Sequence, residues 1–165
     1  VSAAFTGPSA TCSGAPTAAA GTRSPPARSL PTVPDVLIAT DADWIFEDVD
    51  QALSDEDTRV LRVRRGRDVA EAVRKVHPAL VVLDLQIGNM GGIATALHLE
   101  QEFDAGTLNP APILLLLDRP ADVFLARRYG IDGWIFKPLD SFRLRRAARA
   151  LLAGEDYQES PALAS

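Results

Sequence analysis

The sequence has 165 residues, of which 47% are hydrophobic and 24% charged, so it can form one domain with a buried core. Its formal net charge of −5 argues against a direct nucleic-acid binder, because phosphate backbones call for a basic surface. The single cysteine, Cys12, excludes an intramolecular disulfide and a thiolate metal cluster, and no apolar run approaches the roughly 20 residues of a membrane helix.

Residues 1–34 differ in composition from the rest of the chain. They are mainly Ala, Pro, Ser, Thr and Gly, and none of them is acidic. Such a segment buries too little apolar surface to offset its ordering entropy, so we expect a disordered tail. It lacks the apolar core of a secretory signal. An organellar transit peptide is compatible with this composition, but a natural tail or an over-extended translation start is the simpler interpretation.

After Pro34, apolar runs alternate with helical patterns. In chain order they predict a strand at 35–40, a helix at 43–54, a strand at 58–63, a helix at 67–77, a strand at 80–84, a helix at 92–103, a strand at 113–117, a helix at 121–129, a strand at 133–136 and a helix at 141–153. Asp140 or Ser141 suits the N-cap of the last helix, and Gly154 lies just past its end.

Strands that are almost continuously apolar are typical of a sheet covered on both faces. Alternating strands and helices favour a parallel sheet with right-handed crossovers. The sequence therefore predicts a doubly wound α/β domain over 35–154, with a five-stranded, flavodoxin-like sheet in the order 2-1-3-4-5. Residues 155–165 are expected to form a short tail.

Polar residues follow three of the predicted strands. Asp41 follows the first strand, Asp84 closes the third and Lys137 follows the fifth. The carboxyl ends of parallel strands share one edge of the sheet, where open α/β folds place their ligand sites. Two carboxylates and a backbone carbonyl suit Mg²⁺, and the Lys137 ammonium can pair with Asp84. An aspartate is a competent nucleophile for phosphoryl transfer when a metal offsets the incoming charge.

In this arrangement the chain resembles the receiver domain of bacterial two-component response regulators, over roughly residues 35–153. Asp84 falls on the phosphoacceptor aspartate, and residues 84–92 resemble the family's D-L-x-M-P-x-M-D-G loop. Asp41 falls on the second acid of the strand-1 pair, and Lys137 on the lysine of the lysine-proline motif. Residues 130–134 resemble the G-A-x-x-[YF] run, which gives Trp134 the aromatic switch position.

Several positions depart from the family pattern. The first acid of the pair is Thr40, which predicts weaker Mg²⁺ binding. Leu117 replaces the Ser or Thr whose hydroxyl binds the phosphoryl group, and Asp118 replaces a small residue, so its charge is expected to repel a phosphodonor. Arg119 is expected to compensate by pairing with Asp118 or by contacting a phosphoryl oxygen. Gly88 replaces the loop proline and loosens the turn.

The resemblance implies a stand-alone receiver domain in the bacterial cytoplasm, a signalling module rather than a conventional enzyme. Asp84 would accept a phosphoryl group from a histidine kinase, a phosphotransfer protein or a small phosphodonor. Asp41, Asp84 and the Gln86 carbonyl would hold Mg²⁺, and Lys137 would stabilise the acyl phosphate. No direct contact with nucleic acid or a membrane is expected.

The signal is expected to leave through protein contact on the face formed by the fourth helix, fifth strand and fifth helix. The candidate residues on this partner face, beside Trp134, are Arg127, Arg128, Arg143 and Arg146. An acidic protein partner or a second copy in a homodimer would use it, although a solvated basic face is the simpler interpretation of the arginines.

Two alternatives remain open at this point. The first is a phosphorylation-independent binding module on a receiver fold, which Leu117 and Asp118 motivate. The second is another flavodoxin-like protein that binds a nucleotide or a flavin. No Gly-rich phosphate loop follows the first strand, where the sequence is Thr-Asp-Ala-Asp-Trp over 40–44, so this second alternative is weaker.

Overall fold

The computed structural model describes residues 35–161, and the tail expected at 1–34 lies outside the described residues. The strands are β1 (Asp35–Ala39), β2 (Arg59–Val63), β3 (Leu80–Asp84), β4 (Ile113–Leu117), β5 (Gly133–Phe136) and β6 (Tyr157–Gln158). The helices are α1 (Asp43–Leu53), α2 (Val69–Val76), α3 (Gly92–Asp104), α4 (Val123–Arg128) and α5 (Ser141–Leu152). Short 3₁₀ turns at Gly66–Asp68 and Pro120–Asp122 lead into α2 and α4, which shortens both helices at their N-terminal ends relative to the prediction.

The strands form one parallel sheet in the order β2-β1-β3-β4-β5-β6. The flavodoxin-like α/β fold and the predicted order of the first five strands are therefore confirmed. The sheet has one strand more than predicted, because residues 157–158, expected in a tail, pair with the edge of β5. A strand of two residues, neither of them aliphatic, has no periodicity for a sequence pattern to detect.

Two buried clusters cover the two faces of the sheet. Leu37 and Ala39 of β1 face the cluster that α2, α3 and α4 complete, whereas Val36 and Ile38 face the cluster that α1 and α5 complete. All side chains of β3 and β4 are buried, as expected for central strands covered on both sides. Among the described residues, no helix is long and apolar enough to cross a membrane.

The ends of α5 follow the chemistry of its flanking residues. Asp140 is the N-cap, since its Oδ1 accepts hydrogen bonds from the backbone N–H groups of Phe142 and Arg143, both at 3.0 Å. Gly154, just past the C-terminal end, has a φ of +81°. This turn sends the chain back along the sheet, and residues 157–159 then run beside β5.

Candidate functional site

The carboxyl ends of four neighbouring strands form a small polar site at one edge of the sheet. Thr40 follows β1, Asp84 is the last residue of β3, Asp118 follows β4 and Lys137 follows β5. Their side chains are linked by hydrogen bonds and ion pairs, so the fold brings together the groups that the sequence placed at separate strand ends.

Asp84 is the centre of this site and is only 1% exposed. Its Oδ1 accepts hydrogen bonds from Lys137 Nζ at 2.6 Å and from the Gln86 backbone N–H at 3.1 Å. Its Oδ2 accepts one from the Thr40 hydroxyl at 2.9 Å. A carboxylate this deeply buried needs a cation and donors to offset its lost hydration, and these three groups supply them.

Thr40 and Asp41 border the site on the β1 side. The Thr40 hydroxyl donates to Asp84 and accepts from the Ala42 N–H at 3.2 Å, so it links two loops without adding charge. Asp41 is exposed, and its Oδ2 accepts from the Gly88 N–H at 3.3 Å in the loop after β3. A neutral donor therefore stands where the resemblance predicts an acid.

Asp118 and Lys137 form an ion pair that sequence reasoning missed. Lys137 Nζ lies 3.1 and 3.2 Å from the two Asp118 carboxylate oxygens, while it also donates to Asp84. Arg119 points elsewhere: its backbone N–H and guanidinium both bond Asp122, at 3.1 and 3.4 Å. Of the two expected roles of Arg119, the Asp118 pairing is therefore wrong, because Lys137 holds that carboxylate.

The donor set fits a modest Mg²⁺ site. The ligands that the sequence suggests are the carboxylates of Asp41 and Asp84 and the Gln86 carbonyl. Mg²⁺ in proteins is commonly held by one or two carboxylates and keeps several water ligands. Within residues 35–161 no cluster of three or more His, Cys, Asp or Glu side chains could hold a metal.

The loop between β3 and α3 depends on a close backbone approach at Gly92. A Cβ on this residue would lie 2.5 Å from the Asp84 carbonyl oxygen and 2.8 Å from Leu85 Cα. Both neighbours are backbone atoms, which cannot turn aside as a flexible side chain can. Glycine at this position therefore keeps the start of α3 against the end of β3 and fixes the loop beside Asp84.

Arg62 of β2 contacts residues at the junction between β1 and α1, which borders the site. Its Nε donates to the Thr40 carbonyl at 3.1 Å and its Nη1 to Asp43 Oδ1 at 2.5 Å, while its guanidinium lies 5.1 Å from the centre of the Phe46 ring. The hydrogen bond and charge of Arg62, with the charge of Arg64, hold the pKa of Asp43 below its ordinary value. Asp43 lies in the first turn of α1, where the negative charge of a carboxylate interacts favourably with the helix dipole.

Trp134, the predicted switch aromatic, is fully buried. Its indole Nε1–H donates to the Glu159 carbonyl at 3.1 Å, and the Arg127 guanidinium lies 5.7 Å from its ring centre. Leu117, where the resemblance expects a hydroxyl, is also fully buried and belongs to the same cluster.

The arginines predicted for a partner face divide into two groups. Arg127, Arg128 and Arg146 are exposed. Arg143 instead turns toward the C-terminal segment: its guanidinium pairs with Glu159 at 2.6 Å and donates to the carbonyls of Phe136 and Pro138. Three of the four arginines are therefore exposed, whereas Arg143 is paired within the domain.

A family model described as the response regulator receiver domain matches residues 36–149, which is most of the chain. The chain belongs to this receiver domain family.

Curated relatives and solved structures agree with this assignment. Protein PilH of Pseudomonas aeruginosa is 24% identical over 119 residues, which cover 72% of this chain and 98% of PilH. The transcriptional regulatory protein CseB of Streptomyces avermitilis is 27% identical, and the match spans 76% of this chain but only 52% of CseB. The signal receiver domain of a histidine kinase from Syntrophus aciditrophicus is 28% identical with a TM-score of 0.63, covering 73% of this chain and 91% of that one.

Membership of the receiver family confirms the predicted place of this domain in two-component signalling. Receiver domains are signalling modules that carry a phosphoacceptor aspartate and communicate with histidine kinases or phosphotransfer proteins and with downstream targets. In this receiver domain the aspartate at the end of β3 is Asp84, and the lysine after β5 is Lys137.

Proposed function

We propose that this receiver domain accepts a phosphoryl group on Asp84. The observation that carries the proposal is the ion pair between Asp84 Oδ1 and Lys137 Nζ, which are 2.6 Å apart at the end of the two strands. The pair combines a nucleophilic oxygen with a cation positioned to stabilise negative charge on an attached phosphoryl group.

The transfer step needs the Asp84 carboxylate, a donor that carries a good leaving group, and cations that offset the incoming negative charge. An Asp84 carboxylate oxygen forms a bond to phosphorus, while the bond from phosphorus to the donor's imidazole nitrogen or acyl oxygen breaks. The leaving group departs with that electron pair. Lys137, which already donates to Asp84, offsets the charge that the phosphoryl group brings. When bound by Asp41, Asp84 and the Gln86 carbonyl, Mg²⁺ would neutralise further charge on the phosphoryl oxygens.

The test is phosphorylation by acetyl phosphate with Mg²⁺, followed on a phosphate-affinity gel. The wild-type chain is expected to give a retarded band, and Asp84→Asn is expected to give none. Asp104→Asn is the matched control, since Asp104 is an exposed aspartate at the end of α3. A wild-type chain with no retarded band, even with a histidine kinase as donor, contradicts the proposal, as does an equal band from Asp84→Asn.

The face of α4, β5 and α5 is the proposed route by which the signal leaves this domain. Arg127, Arg128 and Arg146 are exposed there and suit an acidic protein surface. We place this activity in the bacterial cytoplasm, with a histidine kinase or a phosphotransfer protein as the donor.

A second candidate function is a binding module that works without phosphorylation. The Lys137–Asp118 ion pair favours it, because a carboxylate already occupies the ammonium that a phosphoryl group would need. Leu117 favours it too, since no hydroxyl at the end of β4 can report the modification. On this alternative, Asp84→Asn leaves partner binding unchanged, whereas the phosphoacceptor function predicts that binding loses its response to acetyl phosphate.

A further inference from the structure

The outer edge of β5 is covered by the chain's own C-terminal segment. Tyr157 and Gln158 run parallel to Gly133 and Trp134. The Tyr157 N–H donates to the Asp132 carbonyl and the Glu159 N–H to the Trp134 carbonyl, both at 3.2 Å. An edge strand normally presents such groups to solvent or to another chain, and here residues 157–159 satisfy them.

Glu159 extends this edge with its side chain. Its carboxylate is 2% exposed, and Oε2 accepts from the Phe136 backbone N–H at 2.6 Å, where a longer strand would have placed a carbonyl. Oε1 accepts from Arg143 Nη1, also at 2.6 Å. The Glu159 main-chain carbonyl accepts the Trp134 indole N–H. One residue thus links β5, α5 and the buried indole.

Gly133 allows this close approach. A Cβ at this position would lie 3.0 Å from the Tyr157 carbonyl oxygen and 3.1 Å from the Leu151 methyl groups. The edge of β5 therefore has space for a further strand and backbone groups that pair with it. Arg143 beside this edge binds one carboxylate. These are the features of a site for strand addition with a side-chain preference.

We propose that the β5 edge and Arg143 form a binding site for an extended acidic segment of a partner protein, a site that residues 157–159 fill when no partner is bound. The partner segment would place a glutamate where Glu159 lies. The internal segment can be exchanged because only two of its residues pair as a strand, and the residues on either side of Glu159, Gln158 and Ser160, are exposed. The site adjoins the proposed output face, but its occupation does not depend on phosphorylation of Asp84.

The test compares Glu159→Lys with Glu155→Lys in the full chain. Both make the same charge change in one segment, but Glu155 is exposed whereas Glu159 faces Arg143. The probe is a fluorescently labelled peptide with the sequence of residues 155–161, read by anisotropy. We expect it to bind Glu159→Lys at least tenfold more tightly than wild type or Glu155→Lys, because the tethered segment competes at high effective concentration. The same peptide with Gln at the Glu159 position is expected to bind at least tenfold more weakly.

Hydrogen exchange supplies a second measurement. The Phe136 amide is expected to exchange at least tenfold faster in Glu159→Lys than in Glu155→Lys, since it loses the carboxylate acceptor. Comparing the Phe136 amide in Glu159→Gln and Glu155→Gln tests the same contact without reversing the charge. This pair is used if Glu159→Lys fails to fold. Equal exchange in the matched variants, or equal peptide affinity for wild type and Glu159→Lys, overturns the proposal. None of these readouts uses acetyl phosphate, so they stand apart from the test at Asp84.

Discussion

Replacing Asp118 with Asn is expected to speed the phosphorylation of Asp84 by an anionic phosphodonor. Lys137 Nζ lies 3.1 Å from Asp118 Oδ1 and 2.6 Å from Asp84 Oδ1, so the two carboxylates are within about 6 Å of each other. A donor that approaches Asp84 therefore meets the negative charge of Asp118, and it must also compete with Asp118 for the Lys137 ammonium.

The size of this effect follows from the distance. Two unit charges about 6 Å apart interact by about 0.7 kcal/mol in bulk water and by about 3 kcal/mol at an effective dielectric constant of about 20. The Asp118 side chain is 31% exposed, which places the interaction toward the lower value, while the donor carries more than one negative charge. An intermediate of about 1.4 kcal/mol corresponds to about a tenfold gain in rate.

The assay is the initial rate of phosphorylation by acetyl phosphate with Mg²⁺, at low salt and at about 1 M salt, where the Debye length falls to about 3 Å. Asn keeps the size of the side chain and an oxygen that can accept from Lys137. The gain should shrink at high salt and should be absent in Asp104→Asn. A rate for Asp118→Asn at or below wild type at low salt refutes the repulsion argument.

Three further outcomes are expected. Thr40→Asp adds a carboxylate to those of Asp41 and Asp84, because the Thr40 hydroxyl lies 2.9 Å from Asp84 Oδ2. It should raise Mg²⁺ affinity about tenfold by titration calorimetry, and unchanged affinity contradicts the proposed metal site. Gly92→Ala forces backbone apart and should cost about 1–3 kcal/mol in urea unfolding, whereas a neutral result refutes the close approach. The hydrogen bond from Arg62 keeps the pKa of Asp43 below its ordinary value. The stability that this ion pair contributes is therefore complete above the ordinary pKa and is lost as pH falls through the lowered one. The melting temperature of Asp43→Asn should therefore fall less at acidic pH than that of wild type. An equal fall in the two proteins contradicts this role of Asp43.

The fold could be predicted because its central strands are short apolar runs bounded by polar turns. The Ile-Leu-Leu-Leu-Leu run of β4 can only be a buried strand or helix, and its length of five residues decides for a strand. Strand β6 could not be predicted, since Tyr157 and Gln158 form a strand only through pairing with β5. That pairing depends on the space at Gly133 and on the reach of the Glu159 side chain, which are properties of the folded domain.

The site could be predicted only as far as strand ends determine position. Asp84 and Lys137 end or follow their strands, so topology brings them to one edge of the sheet. Which partner each side chain then pairs with depends on small differences in distance between the folded side chains. Lys137 holds Asp118 because both project from neighbouring strand ends, while Arg119 turns to Asp122 three residues later on its own turn. Sequence spacing alone does not distinguish these two pairings.

The surroundings of Leu117 at the end of β4 and of Trp134 on β5 bear on how a modification of Asp84 is transmitted. In the receiver family a hydroxyl at the Leu117 position couples the phosphoryl group to the switch aromatic, and here an apolar side chain fills that place. The indole N–H of Trp134 meanwhile donates to the Glu159 carbonyl of the C-terminal segment. Movement of Trp134 therefore requires the loss of a contact with the C-terminal segment, and nothing at Leu117 compensates for that loss.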